Sequence, residues 1–417
     1  MRILEVSRYK NNFADHQLPF VTEQGEAIRA LGHEVDYFLV KGNYIKAVGA
    51  LKAKIRSFQP DIVHAHFGLS AITAELQSLV PVVTTFHNGE TLNWHVNLMS
   101  SLMSLRAKHV IYVAQHIRDL SYFKARHYSI IPCGVPMDQM TIVPQSEARR
   151  QLGWSPDKKY ILFGGAFSNT RKNYALLRDA VAQLGSFSTT PDSQLGSFST
   201  PSDALLGPFH SPSNPQLVPQ LTNNSSNNSQ KEQANPQSDA LACSPTQQSS
   251  PLACSLSPDS ASKTQLGEQG NSPLTAHHSP LPPIEIIEMK GLSRAECVLR
   301  MCACDLFALP SHSEGSPQAL KEAMACNCPC LATDIADVRY LFGNEPGHWI
   351  LRNPRKTHER WDGDEHSLDE MVELLKEALA FEGRTNGRER ILALELSNEQ
   401  VAQRIIQIYE SVLKEFK

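Results

Sequence analysis

Two glutamates stand eight positions apart in the stretch SHSEGSPQALKEAMACNCP, which covers residues 311–329. Glu314 precedes a Gly-Ser-Pro segment, and Glu322 falls within the apolar pattern that follows this segment. Pro317 suits the first turn of a helix, because that turn has no use for the N–H group that proline lacks. The pattern therefore predicts a helix that starts at about Pro317, with one carboxylate just before it and one inside it.

The start of this predicted helix could hold an anion. Gly315 lets the backbone come close to a ligand, and the N–H groups of Ser316 and Gln318 would lie at the positive end of the helix. A nucleoside diphosphate fits such a site. Glu322 could accept both hydroxyls of a ribose, since a carboxylate has two acceptor oxygens, and Glu314 could bind an attached sugar. On spacing alone, a helix-start glutamate favoured by the dipole plus an exposed helix glutamate remains the alternative.

A basic pair follows a second strand-like run. In KKYILFGGAFSNTRKN, the cations Arg171 and Lys172 come after an apolar strand pattern and Gly165. This is the end of a strand at which open α/β sheets bind ligands. A cation at this place could neutralise the negative charge of a bound diphosphate, and a charge held ready in such a position stabilises negative charge that develops there. A basic pair in an exposed loop is the alternative.

Histidines end two further strand-like runs. His87 ends VPVVTTFH, so we expect it at the carboxyl end of a strand and within reach of a ligand. His64 and His66 lie in DIVHAHFG. For these two, a buried and hydrogen-bonded structural role is favoured over a position facing the ligand.

Parallel sheets are needed to bring these residues together. Strand-like and helix-like runs alternate through residues 1–140 and again from residue 159, which is typical of doubly wound α/β domains. We expect an N-terminal Rossmann-like domain over 1–150 and a C-terminal one over 151–183 and 283–395. The predicted strand-like runs are MRILEVS, VDYFLV, DIVHAHFG, VPVVTTFH, HVIYVA, YSIIPCG, KKYILFGG, IEIIEMKG and CPCLATD. The undivided run AECVLRMCACDLFALP lies between the last two, before the predicted helix QALKEAMA.

Residues 184–282 have a different composition from the rest of the chain. They are rich in Ser, Pro, Gln and Asn, and the unit QLGSFSTTPDS at 183–193 is followed at once by QLGSFSTPSDA. Such a segment cannot bury enough apolar surface to fold, so it is predicted to be a disordered insertion in the second domain. It falls between a helix and the next strand, away from the ligand end of the sheet, and we expect it to be dispensable.

The charge of the chain is small but uneven. Of the 417 residues, the first 150 contain 16 Lys+Arg against 12 Asp+Glu, and the remainder contains 23 against 31. The basic N-terminal part could contact an anionic membrane surface peripherally, with an ordinary solvated surface as the alternative. No nucleic-acid partner is expected. No secretory signal opens the chain and no apolar run reaches the roughly 18–20 residues that cross a bilayer. A cytoplasmic protein, working at the inner face of the membrane if it meets lipid, is expected.

The nine cysteines do not have the spacing of a zinc site. Cys326-x-Cys328-x-Cys330 differs from Cys-x2-Cys, and no His-x3-5-His pattern accompanies it. Reduced, mostly buried thiols and no metal site are therefore expected.

Several segments, taken together, resemble one family. The stretch CDLFALPSHSEGSPQALKEAMACNCPCLATDIADV is similar to the signature of family-4 glycosyltransferases, which contains a Glu-x7-Glu motif. IPCGVPMD at 131–138 resembles the segment that ends their N-terminal domain. PFVTEQGEAIRALGHEVDYFLVKG, PDIVHAHFG, PVVTTFHNGE and LSNEQVAQRIIQIYESVL are also similar and occur in the family's order. The resemblance covers nearly all of the chain except residues 184–282.

The resemblance implies a GT-B fold, in which two Rossmann-like domains face each other across a cleft. The donor would bind mainly to the second domain and the acceptor to the first, and a helix within 396–417 would pack back on the first domain. It also implies a retaining hexosyltransferase-like enzyme that needs no metal and no cofactor beyond its nucleotide-sugar donor. The acceptor would be a saccharide or a lipid-linked molecule, as in the synthesis of surface polysaccharide.

The resemblance also implies roles for individual residues. Glu322 would bind the donor ribose, Glu314 the transferred sugar, and Lys172 the diphosphate, with Arg171 as a second cation. His87 would line the cleft beside the transferred sugar. The other donor-binding candidates belong to the first loop and the helix start, namely Gly165, Gly315, Ser316, Pro317 and Gln318.

The chain departs from the family pattern at several positions. Ala166 stands where many members have an arginine. Asn88 stands where a glycine usually follows the histidine, and Asn327 replaces a frequent glycine. The first loop of the N-terminal domain, RYKNNFADHQLPF, contains no glycine, although this loop is glycine-rich in the family. Two other functions therefore stay open, a nucleotide-sugar epimerase of similar architecture and a catalytically silent nucleotide-sugar-binding protein. An NAD-dependent enzyme is disfavoured, because no G-x-G-x-x-G follows any predicted strand.

Overall fold

The computed structural model describes residues 1–11, 16–185, 282–353 and 367–416. Within these ranges the first half of the protein contains a six-stranded parallel sheet in the order β2-β1-β3-β4-β5-β6. Its strands are β1 (Arg2–Arg8), β2 (Glu34–Val40), β3 (Ile62–His66), β4 (Val82–Phe86), β5 (His109–Tyr112) and β6 (Tyr128–Ile130). Every residue of β3 and β4 is buried, as expected for central strands of a parallel sheet that helices cover on both faces.

Six helices accompany this sheet. They are α1 (Pro19–Ala30), α2 (Val48–Phe58), α3 (Gly68–Glu75), α4 (Trp94–Ser104), α5 (Gln115–Leu120) and α6 (Gln145–Leu152). Proline opens α1, where its missing N–H group costs nothing, and Gly153 ends α6 in the left-handed conformation that glycine adopts without strain. The last of these helices, α6, packs against α8 (Arg294–Ala303) of the second half.

The second half contains a five-stranded parallel sheet in the order β11-β10-β9-β7-β8. Its strands are β7 (Lys159–Phe163), β8 (Ile284–Glu288), β9 (Leu306–Leu309), β10 (Cys330–Thr333) and β11 (His348–Leu351). Besides α8, its helices are the short 3-10 helix η1 (Thr170–Lys172), α7 (Tyr174–Gln183), α9 (Gln318–Ala325), α10 (Val338–Phe342), α11 (Leu368–Ala380) and α12 (Gly387–Ala393). Ser293 and Glu296 form a reciprocal capping box that fixes the start of α8.

The last helix, α13 (Asn398–Phe416), packs against α1 of the first half. Its entry is fixed by the interdomain segment, because the Val135 N–H group donates to Leu396 O at 2.8 Å and Asn398 N–H donates to Val135 O at 2.9 Å. Gly134 makes this contact possible, since a Cβ at that position would lie 2.8 Å from the Asn398 Cα.

These observations confirm the α/β architecture of GT-B type, with two parallel sheets. Each of the nine strand-like runs contains a strand, and β9 lies in the undivided run AECVLRMCACDLFALP, whereas β11 was not predicted. The predicted place of Pro317 is wrong by one residue, because α9 begins at Gln318 and Pro317 is its N-cap. The predicted insertion, apart from residues 184, 185 and 282, lies outside the described residues, and the domain boundaries stay predictions.

The described cysteines are free and mostly buried, as the sequence predicts. All seven cysteines in the described part of the chain are free, and five of them are buried in the second half. Among them, Cys304 and Cys328 have their sulfur atoms 3.3 Å apart. Cys243 and Cys254 lie outside the described residues.

Candidate active site

The predicted site residues of the second half meet where the order of its sheet reverses. Strand β7 lies between β8 and β9, and ligands of open α/β sheets bind at the carboxyl ends of the strands beside such a reversal. The loop after β7 carries Gly165, Arg171 and Lys172, and the loop after β9 carries Glu314. The backbone holds these loops together, because His312 N–H donates to Arg171 O at 2.9 Å.

Lys172 and Glu314 form an ion pair across these two loops. The Lys172 Nζ atom lies 2.6 Å from Glu314 Oε1, and the two side chains are only 15% and 9% exposed. Gly165 leaves room for the lysine, since an added Cβ would lie 3.0 Å from Lys172 Cγ. The alternative of an exposed basic pair therefore fits Arg171, which is exposed, and does not fit Lys172.

The loop after β9 also touches the first half of the protein. A Cβ added to Gly315 would clash with the His87 carbonyl oxygen and would lie 2.9 Å from the Asn88 Cβ. The Asn88 amide donates to the Ser313 hydroxyl at 3.5 Å. Only glycine allows the two loops to approach so closely, and Asn88, a departure from the family pattern, takes part in this contact.

Polar side chains at the start of α9 contact the interdomain segment. The Gln318 amide donates to Gly134 O at 2.7 Å, and Lys321 Nζ donates to Cys133 O at 2.5 Å. The Ser316 hydroxyl donates to an Asp337 carboxylate oxygen at 2.6 Å. The start of α9 is therefore held between the second sheet and the segment that joins the halves.

Glu322 is not the exposed helix glutamate of the alternative interpretation. It is only 9% exposed, and Arg294 of α8 donates to it as well as to Glu23 of α1. One guanidinium thus connects a carboxylate of each half. Burial raises the pKa of Glu322, while the ion pair with Arg294 opposes this shift as a smaller cause. The same two causes act on Glu23, whose pKa is also raised.

His87 ends a chain of hydrogen-bonding side chains that runs into the first sheet. His87 Nε2 lies 3.1 Å from His66 Nδ1, and His66 Nε2 lies 2.7 Å from Glu5 Oε2. Because the ionised carboxylate only accepts, His66 donates to it from Nε2, and His87 Nδ1 faces the Cys133 sulfur at 3.6 Å. Burial, followed by His66 and Lys321 as smaller causes, lowers the pKa of His87 well below its ordinary value. His87 is therefore neutral at neutral pH.

His64 and His66 are completely buried, as the structural interpretation expects. His64 Nδ1 lies 2.5 Å from the Tyr409 hydroxyl of α13, and its Nε2 lies 2.7 Å from the Thr85 hydroxyl. Glu5, His64 and His66 lie close enough together to hold a metal ion. Each imidazole nitrogen of this trio, however, already has a protein partner, so a hydrogen-bonded network accounts for the arrangement.

Glu90 shapes the loop that carries His87. One of its carboxylate oxygens accepts from Gly68 N–H at 2.9 Å, and the other accepts from His87 N–H at 3.2 Å and Asn88 N–H at 2.9 Å. Glu90 is only 2% exposed, so three backbone donors compensate the loss of its hydration. It is a positioning residue for the end of β4.

Reasoning from the sequence did not single out five of these residues. A signal existed for Glu5, because it is the one charge inside the otherwise apolar or neutral core of the first strand. Partners that act across the two halves have no such local signal, since nothing in a single segment shows what lies opposite. The residues missed are Glu5, Glu23, Glu90, Arg294 and Lys321.

Comparison with known proteins shows that two glycosyltransferase family models match this chain. The model described as Glycosyltransferase Family 4 matches residues 23–139, and the model described as Glycosyl transferases group 1 matches residues 278–361. These matches support a family-4 glycosyltransferase. The two matches fall on the two sheets in turn, so the transferase has both halves of the GT-B architecture.

Relatives and solved structures agree with this assignment. The transferase is 49% identical over 52 residues to TuaC of Bacillus subtilis (strain 168), a glycosyltransferase named for teichuronic acid biosynthesis. That match covers 12% of this chain and only 13% of the relative. Two solved structures share the fold. Sucrose-phosphate synthase from Thermosynechococcus elongatus has 16% identity and a TM-score of 0.65, with 99% of both chains covered. HepE from Anabaena, solved with UDP and glucose, has 12% identity and a TM-score of 0.59, with 99% of this chain and 100% of that chain covered.

Proposed function

We propose that this transferase moves a sugar, with retention and without a metal, from a nucleoside-diphosphate donor to a saccharide or lipid-linked acceptor. The observation that carries the proposal is the Lys172–Glu314 pair at the reversal of the second sheet, which puts a cation and a carboxylate where a nucleotide sugar would bind. HepE from Anabaena was solved in complex with UDP and glucose, which supports a donor of this class. The name of TuaC supports a role in the synthesis of a surface polysaccharide.

In this proposal Lys172 stabilises the diphosphate as its negative charge develops. The exposed Arg171 and the backbone N–H groups at the start of α9 provide further positive potential beside it. Lys172 is already aimed by its bond to Glu314, so little rearrangement is needed when the phosphate arrives. A preorganised donor of this kind stabilises the transition state more than a flexible one would.

The two glutamates divide the rest of the donor. Glu314 binds hydroxyls of the transferred sugar, and Glu322 binds the ribose while Arg294 holds its carboxylate in place. His87 lines the cleft instead of acting as a general base, because both of its ring nitrogens have partners in the resting protein. Transfer on one face of the sugar, with the leaving diphosphate assisting, needs no such base.

The test measures release of nucleoside diphosphate from UDP-, GDP- and ADP-sugars, with and without acceptor mixtures. Release that depends on an acceptor and is lost in Lys172→Met supports the proposal. Lys158→Met is the matched control, because Lys158 pairs with Glu285 at 3.1 Å near the opposite end of β7. Interconversion of the donor sugar would instead show an epimerase, and saturable binding without turnover would show a silent protein. Either result overturns the proposal.

A further inference from the structure

Helix α4 is inverted relative to an ordinary surface helix. A surface helix normally turns its apolar face inward and its polar face to water. The residues that α4 turns inward are instead polar and at most 6% exposed, namely Asn97, Ser100, Ser101 and Ser104. Apart from His95, the residues that it turns outward are large and apolar, with exposures from 38% to 64%, namely Trp94, Leu98, Met99, Leu102 and, just after the helix, Leu105.

The fold accounts for the inward face. Helix α4 packs against α3, and a Cβ added to Gly68 at the start of α3 would clash with the Ser100 side chain. Small residues are therefore needed on this side for the two helices to approach. No comparable packing accounts for the outward face, since among the described residues its five large apolar side chains remain exposed.

A neighbouring loop extends the apolar face. The Asn97 amide donates to Leu120 O at 2.8 Å, and its oxygen accepts from Tyr122 N–H at 3.3 Å, which ties residues 120–128 to α4. This loop exposes Tyr122, Phe123 and Tyr128 at 58%, 40% and 40%. We call α4, Leu105 and this loop the α4 face.

The charged residues of the segment that carries the α4 face are almost all basic. Residues 91–130 contain the cations Arg106, Lys108, Arg118, Lys124 and Arg126, against the single acid Asp119. Asp119 lies 4.0 Å from Arg118 and so is partly neutralised. Large exposed apolar side chains surrounded by basic residues are complementary to an anionic lipid surface, into which apolar groups insert while cations remain among the headgroups.

We propose that the α4 face docks this protein onto an anionic lipid bilayer. Among the described residues no helix combines the length and the apolar character that spanning a bilayer requires, so the protein would lie on the surface. Trp94 follows His87 by a short loop, so docking brings the first-half side of the cleft close to the lipid. The docking itself is independent of sugar transfer, and only its use in reaching a lipid-linked acceptor rests on the proposed function.

The test is co-sedimentation of the full chain, without donor, with phosphatidylcholine vesicles and with vesicles that also contain phosphatidylglycerol. We expect binding to the second kind only. The combined variant Trp94→Ser, Leu98→Ser and Leu102→Ser should bind at least about tenfold more weakly. Its matched control is Ile45→Ser, Tyr340→Ser and Leu392→Ser, which removes three side chains of comparable exposure from other elements and should bind like wild type.

The electrostatic part is tested with Arg106→Gln plus Arg126→Gln. Both arginines are exposed, so the folded state should persist, and binding should weaken by about thirtyfold, roughly fivefold for each arginine. The proposal is overturned if the triple serine variant of Trp94, Leu98 and Leu102 binds vesicles as wild type does. It is also overturned if wild type does not bind vesicles at low salt. A dimer that dissociates in that triple variant, with no vesicle binding by wild type, would show that a second copy covers the face. Because donor is absent, none of these outcomes depends on the transfer reaction.

Discussion

Replacing Lys172 by methionine should affect stability and donor binding for two separable reasons. Methionine keeps most of the side-chain length but removes the charge, which leaves the Glu314 carboxylate without the partner that lies 2.6 Å away. Breaking a buried pair from one side costs about 3–5 kcal/mol, and we expect about 3 because both side chains retain some solvent access. Losing a charge-assisted hydrogen bond to the diphosphate should cost a further 1.5–3 kcal/mol of binding, or about 10–150-fold in the donor dissociation constant.

The double variant Lys172→Met, Glu314→Gln separates these two effects. It buries no unpaired charge, so most of the lost free energy of unfolding should return. Donor affinity should not return, because the cation for the diphosphate is still missing. Urea unfolding measures the first quantity, and calorimetric titration with the nucleotide sugar that the release assay identifies measures the second. Lys158→Met, which breaks the pair with Glu285, should leave donor affinity unchanged.

Two results would refute this reasoning. If the double variant regains donor affinity along with stability, Lys172 acts only through the fold and not on the diphosphate. If Lys172→Met binds the donor as tightly as wild type, the ion pair is structural and the site lies elsewhere. We expect the single and the double variant to have the same weakened donor affinity and to differ in their free energies of unfolding.

Three further predictions test other parts of the structure. Gly315→Ala should reduce transfer strongly, because its Cβ clashes with the His87 carbonyl and such overpacking costs about 1–3 kcal/mol. Its control is Gly49→Ala, which has open space around the added Cβ and should have normal activity in the same assay. Burial raises the pKa of Glu75 to about 8, against smaller opposing effects of Arg106 and Lys108. Between pH 6 and 8 the native state therefore keeps a proton that the unfolded state has lost. As the pH rises through this range, the free energy of unfolding should fall by up to about 1.4 kcal/mol per pH unit. Thermal unfolding at several pH values should show a shallower slope for Glu75→Gln. Deleting residues 186–281 should leave donor affinity intact in titration, since extending a connection from about eight to about a hundred residues costs only roughly 2 kcal/mol of loop closure; a folded deletion variant without donor binding would contradict this.

The sequence by itself determined the repeating βα pattern and the order of the main elements. Runs such as VPVVTTFH form buried strands because apolar β-branched residues fill both faces of a parallel sheet. It also determined that Lys172 and His87 follow strands at their ligand ends, because the carboxyl ends of parallel strands meet at one edge. These are local properties, and the local sequence contains the information for them.

Only the tertiary structure decided which residues meet across the two halves. Glu322 was visible from its spacing, but its connection through Arg294 to Glu23 was not, because those three residues come from separate elements. Helix α4 shows the same limit in another form. Its sequence separates an apolar face from a small polar one, but periodicity does not state which face turns inward. Close packing against Gly68 selects the small polar face, and leaves the apolar face outside.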